Sequence, residues 1–199
     1  NSSRRLEKNP SDEIIVCPIC QEKLSANVIA AHASACNLYL CPVAWDNNCQ
    51  WRGSVSQSVD HIAKGHRSVN RVTGPNAVIV LKSWRKASPL YWSSLQTCLG
   101  YNFLVEIKKI ERFDKYPNFY GVVRLFGQQE DADRFEYKMT MKTRGKMART
   151  SSYSTTVRAL HENSVIHKDD AFVFDSSQAE IFSYEGNLEV EVSISVMKM

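Results

Sequence analysis

From about Asn70 to the C-terminus, apolar and polar residues alternate with period two in short runs bounded by Gly, Pro, Asp and Asn. That is the pattern of β-strands. The clearest run is the last: Leu188, Val190, Val192, Ile194 and Val196 point one way, and Glu189, Glu191, Ser193 and Ser195 the other. Such a strand has one core face and one wet face. The same reading predicts strands over Ala77–Leu81, Tyr91–Thr97, Phe103–Ile110, Phe119–Phe126, Phe135–Met141 and Phe172–Phe174. Helical periodicity is scarce, and only Thr155–Glu162 reads as helix, serving as a connection. Strand after strand without intervening helices predicts an antiparallel sandwich and not β-α-β units. Residues 67–199 are long enough to bury a core of their own.

The first third of the chain lacks this alternation and carries instead two sets of metal-ligand types, Cys17-Cys20-His32-Cys36 and Cys41-Cys49-His61-His66. The interval from Cys20 to His32 equals that from Cys49 to His61. Each set has four members, the number a structural tetrahedral Zn²⁺ site takes, and neither leaves a position open for water or substrate. Two structural zinc ions are therefore expected, in fingers at 15–38 and 39–66. Each would contribute on the order of 10 kcal/mol of folding free energy to a segment too short for a core. A disulfide reading fits poorly, because histidines interleave with the cysteines and no secretory h-region precedes them. Cys98, His161 and His167 remain outside the two sets. Cys98 sits in an apolar strand pattern, where an inert buried thiol is expected and not a catalytic thiolate.

Charge narrows what the fingers can do. Within residues 1–66, Arg4, Arg5, Lys8, Lys23, Arg52 and Lys64 are matched by Glu7, Asp12, Glu13, Glu22, Asp46 and Asp60. A reader of nucleic acid needs a basic footprint. The apparent helix Asn27–Ala33 is small and apolar, without side chains that reach base edges. These fingers read as packing modules. The net charge of +4 over 199 residues collects later, in Arg67 to Lys86 and Lys138 to Arg149. Both stretches read as solvated strand faces and loops. No nucleic-acid partner and no membrane are expected.

A Cys-Cys-His-Cys finger, a Cys-Cys-His-His finger followed by Gln50-Trp51-Arg52-Gly53, and then a sandwich resembles the substrate-binding region of the seven in absentia (Siah) family of RING-type ubiquitin ligases. The similarity continues through Cys98-Leu99-Gly100-Tyr101-Asn102-Phe103, Asn118 to Gly127, Ala132 to Tyr137, Leu160-His161-Glu162, Phe172 to Ser177 and Gly186-Asn187-Leu188. It implies a mainly β fold: two small zinc fingers followed by an antiparallel eight-stranded TRAF-like β-sandwich. Residues 1–14 would be a linker from an upstream RING, and 67–199 the substrate-binding domain. The chain then reads as a fragment without the RING, with no ligase activity by itself. A ubiquitin-conjugating enzyme would be a partner only through that upstream RING.

The resemblance also implies how partners bind. Substrate or adaptor proteins carrying an extended Val-Pro-type motif would add as a strand between the segment after the second finger and the strand bearing Trp92. Asn70, Val72 and Gly74 would line one side, and Leu90, Trp92 and Ser94 the other. Leu90, Trp92 and Val72 would wall an apolar pocket; Asn70 and Ser94 would make polar contacts. Period two leaves open which face of this strand is outward, since Tyr91 and Leu95 form a rival apolar pair. Family membership further implies a homodimer, a cytoplasmic and nuclear location, and targeting of partners for proteasomal degradation. The other reading is a non-catalytic TRAF-like signalling or scaffold adaptor. The chain departs from the family in its Cys-x2-Cys opening, in Tyr91 and Ser94 where Asp and Met are usual, and in a longer, more basic Lys142–Ser154 connection.

Overall fold

The computed structural model describes residues 14–17, 22–29, 31–32, 38–46, 48–111, 117–144, 148–160 and 170–198. The N-terminal part holds two short hairpins. Strand β1 (Ile14–Val16) pairs with β2 (Lys23–Ser25), and β3 (Tyr39–Leu40) with β4 (Arg52–Gly53). Helix α1 (Val55–Gly65) follows. Its start is fixed by Gln57, whose side-chain carbonyl accepts from the Ser54 N–H at 3.1 Å. Gly53 is a requirement of close approach: a Cβ there would lie 2.3 Å from the Trp51 ring.

Two sheets make up the rest. One has the order β11-β10-β14-β6, with β6 (Asn76–Leu81), β10 (Phe135–Lys142), β11 (Thr150–Thr156) and β14 (Leu188–Val196). The other runs β12-β9-β8-β7-β5, with β13 also on β9. Its strands are β5 (Asn70–Thr73), β7 (Leu90–Cys98), β8 (Tyr101–Glu111), β9 (Pro117–Leu125), β12 (Arg158–Ala159) and β13 (Phe172–Asp175). Eight of these strands pair antiparallel, which is the expected eight-stranded sandwich; β5 and β12 are short parallel additions to β7 and β9. Short helices α2 (Gln129–Ala132) and α3 (Ser176–Phe182) lie in the connections. Strands β7 and β8 join through Leu99 and Gly100, both at positive φ (54° and 81°), as a two-residue hairpin turn requires.

All seven runs expected as strands are strands, with ends shifted by a residue or two. Two expectations fail. Thr155–Glu162 is expected as helix, but residues 155–160 are not helical: Thr155 and Thr156 end β11, and Arg158–Ala159 form β12, while His161 and Glu162 lie outside the described residues. The supposed Lys142–Ser154 connection also contains most of β11. Its Ser/Thr alternation carries little apolar signal, but Tyr153 packs inward against Phe172, with ring centroids 6.4 Å apart.

The core lies between the sheets. Phe119 stacks on Phe174 at 4.7 Å, Phe103 meets Phe135 edge-on at 5.3 Å, and Trp84, Tyr137 and Met139 are buried with them. The two sheets differ on their outer faces. In the four-stranded sheet, β14 alternates as its sequence does from Leu188 to Ile194, while Val196, at the strand's end, is exposed. In the six-stranded sheet, Ser93–Gln96 of β7 and Phe119–Leu125 of β9 are buried without alternation, because their outer face is covered too. Leu95 and Leu104 on that face form one cluster with Cys41, Val43 and Ile62 of the second finger. Cys98 closes β7 as a buried thiol whose pKa is raised by desolvation, as expected of an inert cysteine.

Candidate metal centre and strand edge

The second ligand set converges. The β3–β4 hairpin supplies Cys41, whose N–H donates to the Trp51 carbonyl at 3.0 Å. A tight turn follows, in which Ala44 N–H donates to Cys41 O and Cys49 N–H to Ala44 O, and this returns the chain to place Cys49. Helix α1 presents His61 in its second half. His66 caps the helix through its N–H on Ile62 O at 3.0 Å.

The four ligand atoms all lie within 4.8 Å of one another. Cys41 Sγ is 3.3 Å from both His61 Nε2 and His66 Nε2, Cys49 Sγ is 3.4 Å from His61 Nε2, and the two Nε2 atoms are 3.1 Å apart. A tetrahedron with Zn–S and Zn–N bonds of ordinary length has edges of about 3.3–3.8 Å. The fit extends to the tautomer. His66 is 2% exposed and its Nδ1–H donates to Asp46 Oδ2 at 3.0 Å, so its Nε2 carries a lone pair aimed at the His61 nitrogen. That lone pair is available to a cation held among the four ligand atoms, and a carboxylate behind a ligating imidazole is the usual support. Burial, with the neighbouring Cys49 and Asp46 adding to it, pushes the Cys41 thiol up to about 12, and burial lowers the pKa of His61. A divalent ion reverses this cost for the thiol, because it favours the thiolate outright.

Around the ligands, Trp51 stacks on His61 with centroids 4.3 Å apart and planes 4° from parallel. Asp46 and the Gly53 clearance for Trp51 were not singled out from the sequence; a carboxylate between the two cysteines of a finger is the signal that could have found Asp46. The first set is only partly visible. Cys17 is buried in the turn after β1, its N–H donating to Glu22 O at 2.9 Å, and His32 Nδ1 lies 3.5 Å from a Glu22 carboxylate oxygen. Cys20 and Cys36 lie outside the described residues, as do His161 and His167.

The residues expected to line a peptide groove fall on two adjacent, hydrogen-bonded strands. Strand β5 pairs in parallel with the second half of β7, Asn70 opposite Ser94 and Val72 opposite Gln96. Gly74 continues the ladder, its N–H donating to Thr97 O, while its carbonyl accepts from Gln96 Nε2 at 2.9 Å. No open space therefore separates β5 from Ser94. What is unpaired, among the described residues, is the β5 side of Leu90 to Ser93, the first half of β7. There Leu90 and Trp92 are half-buried. Trp92 turns inward, stacked 6.2 Å from Phe119, with its indole N–H on Lys82 O at 3.3 Å. Ser94, at 1% exposure, lies inside, whereas Asn70 is exposed. Tyr91 faces the other way and stacks under Trp45 of the second finger at 5.1 Å. Both candidate faces are thus covered, one by the opposite sheet and one by the finger.

A Cys/His group able to hold a metal ion, seated on the outer face of an antiparallel sandwich, defines a class of finger-and-sandwich protein. Comparison with known proteins agrees. Residues 96–193 match the family described as Sina, TRAF-like domain. The chain is 29% identical over 164 residues to the E3 ubiquitin-protein ligase sina of Drosophila melanogaster, covering 81% of this chain and 51% of that protein. It is 32% identical over 162 residues to the E3 ubiquitin-protein ligase siah-1 of Caenorhabditis briggsae, covering 79% and 36%, and 27% identical over 159 residues to the human E3 ubiquitin-protein ligase SIAH2, covering 79% and 48%. Over residues 96–193 the chain carries a TRAF-like domain of the Sina type. It spans about half the length, or less, of these curated relatives.

Proposed function

We propose that this chain is the substrate-recognition region of a ubiquitin ligase, choosing the proteins that a RING elsewhere in the protein marks for degradation. The relatives' ligase names and the TRAF-like match support the class. The observation that carries the mechanism is the unpaired half of β7. An extended peptide bearing a Val-Pro-type motif adds along Leu90 to Ser93, in line with β5, and exchanges main-chain hydrogen bonds with the free edge. Leu90, Trp92 and Val72 supply the apolar surface, and Asn70 the polar contact at the end of the notch. Zn²⁺ in each finger holds the fold together and takes no part in chemistry. Cys41, Cys49, His61 and His66 hold one ion, and Cys17, Cys20, His32 and Cys36 the other. The assembled protein is a homodimer acting in the cytoplasm and nucleus.

Titration of a labelled Val-Pro-containing peptide against wild type and Trp92→Ala tests the reading. Loss of binding with both zinc ions retained is the expected result, and unchanged affinity would sink the groove assignment. Autoubiquitylation by the full-length protein separates a ligase from an adaptor, which would show none.

A further inference from the structure

The four-stranded sheet has an open side at β11, with which only β10 pairs among the described residues. The direction of the free bonding groups follows from the ladder. Val157 N–H donates to Phe135 O and Thr143 N–H to Arg149 O, so in this register residues 151, 153 and 155 exchange hydrogen bonds with β10. Thr150, Ser152, Ser154 and Thr156 therefore aim their N–H and C=O groups at the open edge, and these same four residues are exposed. Edge strands are usually guarded by Lys, Pro, a bulge or a covering segment. Strand β11, Thr-Ser-Ser-Tyr-Ser-Thr-Thr, contains neither Lys nor Pro and pairs with β10 in unbroken register.

Charge says what the edge can accept. Residues 142–160 contain Lys142, Arg144, Lys146, Arg149 and Arg158 and no acid. Lys142 is engaged by Glu191 and Arg144 by Glu189, each at 2.6 Å. Lys138, opposite Ser154, and Arg149, next to Thr150, have no carboxylate partner among the described residues. The one acid on β10 near this edge, Glu136 opposite Thr156, accepts from the Ser195 hydroxyl at 3.1 Å.

We propose that the β11 edge is a second strand-addition site, separate from the β7 notch, and that it takes an acidic extended segment of a partner protein. Main-chain bonds to Thr150, Ser152, Ser154 and Thr156 supply the register. Alternate acidic side chains of the segment, on the face shared by Ser152 and Ser154, lie toward Lys138, which pairs opposite Ser154 on that face. The acid-free 142–160 segment disfavours a second copy of itself at this edge and favours an anionic strand.

The test is fluorescence anisotropy with a labelled decapeptide of alternating Glu and Thr, and its Lys/Thr counterpart as control. Ser152→Pro and Ser154→Pro each delete one outward N–H and leave the bonds to β10 in place, the setting in which a sheet tolerates proline. The acidic peptide should bind and the basic one should not. Either proline should weaken binding by up to about tenfold, the equivalent of the one main-chain hydrogen bond it deletes. Lys138→Glu, which keeps the strand intact, should weaken it about fivefold and flatten its salt dependence; it decides the matter if a proline variant fails to fold. Failure of the acidic peptide to bind, or equal binding to all variants, overturns the proposal. So does self-association of the wild type that Ser154→Pro abolishes, which would mean that a second copy occupies the edge.

Discussion

The second finger and the sandwich solve the same problem by different physics. The sandwich buries aromatic and branched residues between two sheets, with Phe119 stacked on Phe174 and Trp92 and edge-on to Trp84. The finger has almost no interior. Its buried apolar residues Cys41, Val43 and Ile62 are completed by Leu95, Leu104 and Val69. Its own organisation comes from four ligand atoms and Asp46. A core distributes its cost over many contacts, whereas a metal centre concentrates it in a few bonds, so the two regions should fail differently.

Cys41→Ser should have the largest effect. It removes a ligand from a site that contributes on the order of 10 kcal/mol to its segment. One zinc should be lost by atomic absorption, and the finger should become protease-sensitive while the sandwich still unfolds cooperatively. Loss of the sandwich along with the finger would erase the contrast. Phe119→Ala should act the other way round, lowering sandwich stability in urea by about 3–5 kcal/mol with the metal content unchanged. Asp46→Asn is the subtler probe. With the carboxylate gone from His66 Nδ1, zinc affinity in a chelator competition should fall by about 10–100-fold with the fold intact.

Much of this was legible in the sequence, and the exceptions have physical causes. The second ligand set shows because metal coordination demands particular residue types at fixed intervals. Strand β14 shows because only one of its faces is buried. Strand β7 was legible as a strand, but its outward face was not. Trp92 and Tyr91 look like rivals because both are covered, Trp92 toward Phe119 and Tyr91 under Trp45. No alternation can rank two buried faces. Strand β11 was missed because hydroxyl residues carry no hydrophobic signal, although Thr favours strands. Strands β5 and β12 are parallel and short, and their partners lie far along the chain. The pairing of Asn70 with Ser94, which closes the space once expected between them, is a long-range fact of that kind.

The central claim is that the metal centre positions the binding edge. Its last ligand, His66, is tied to Val69 through the Val69 N–H on His66 O at 3.2 Å, and β5 begins at the next residue. Hydrogen exchange of residues 70–73, measured with zinc bound and after chelation, tests this most directly. The β5 amides should lose most of their protection on zinc removal while those of β8 and β9 keep theirs. Protection of β5 that survives complete zinc removal would contradict the account.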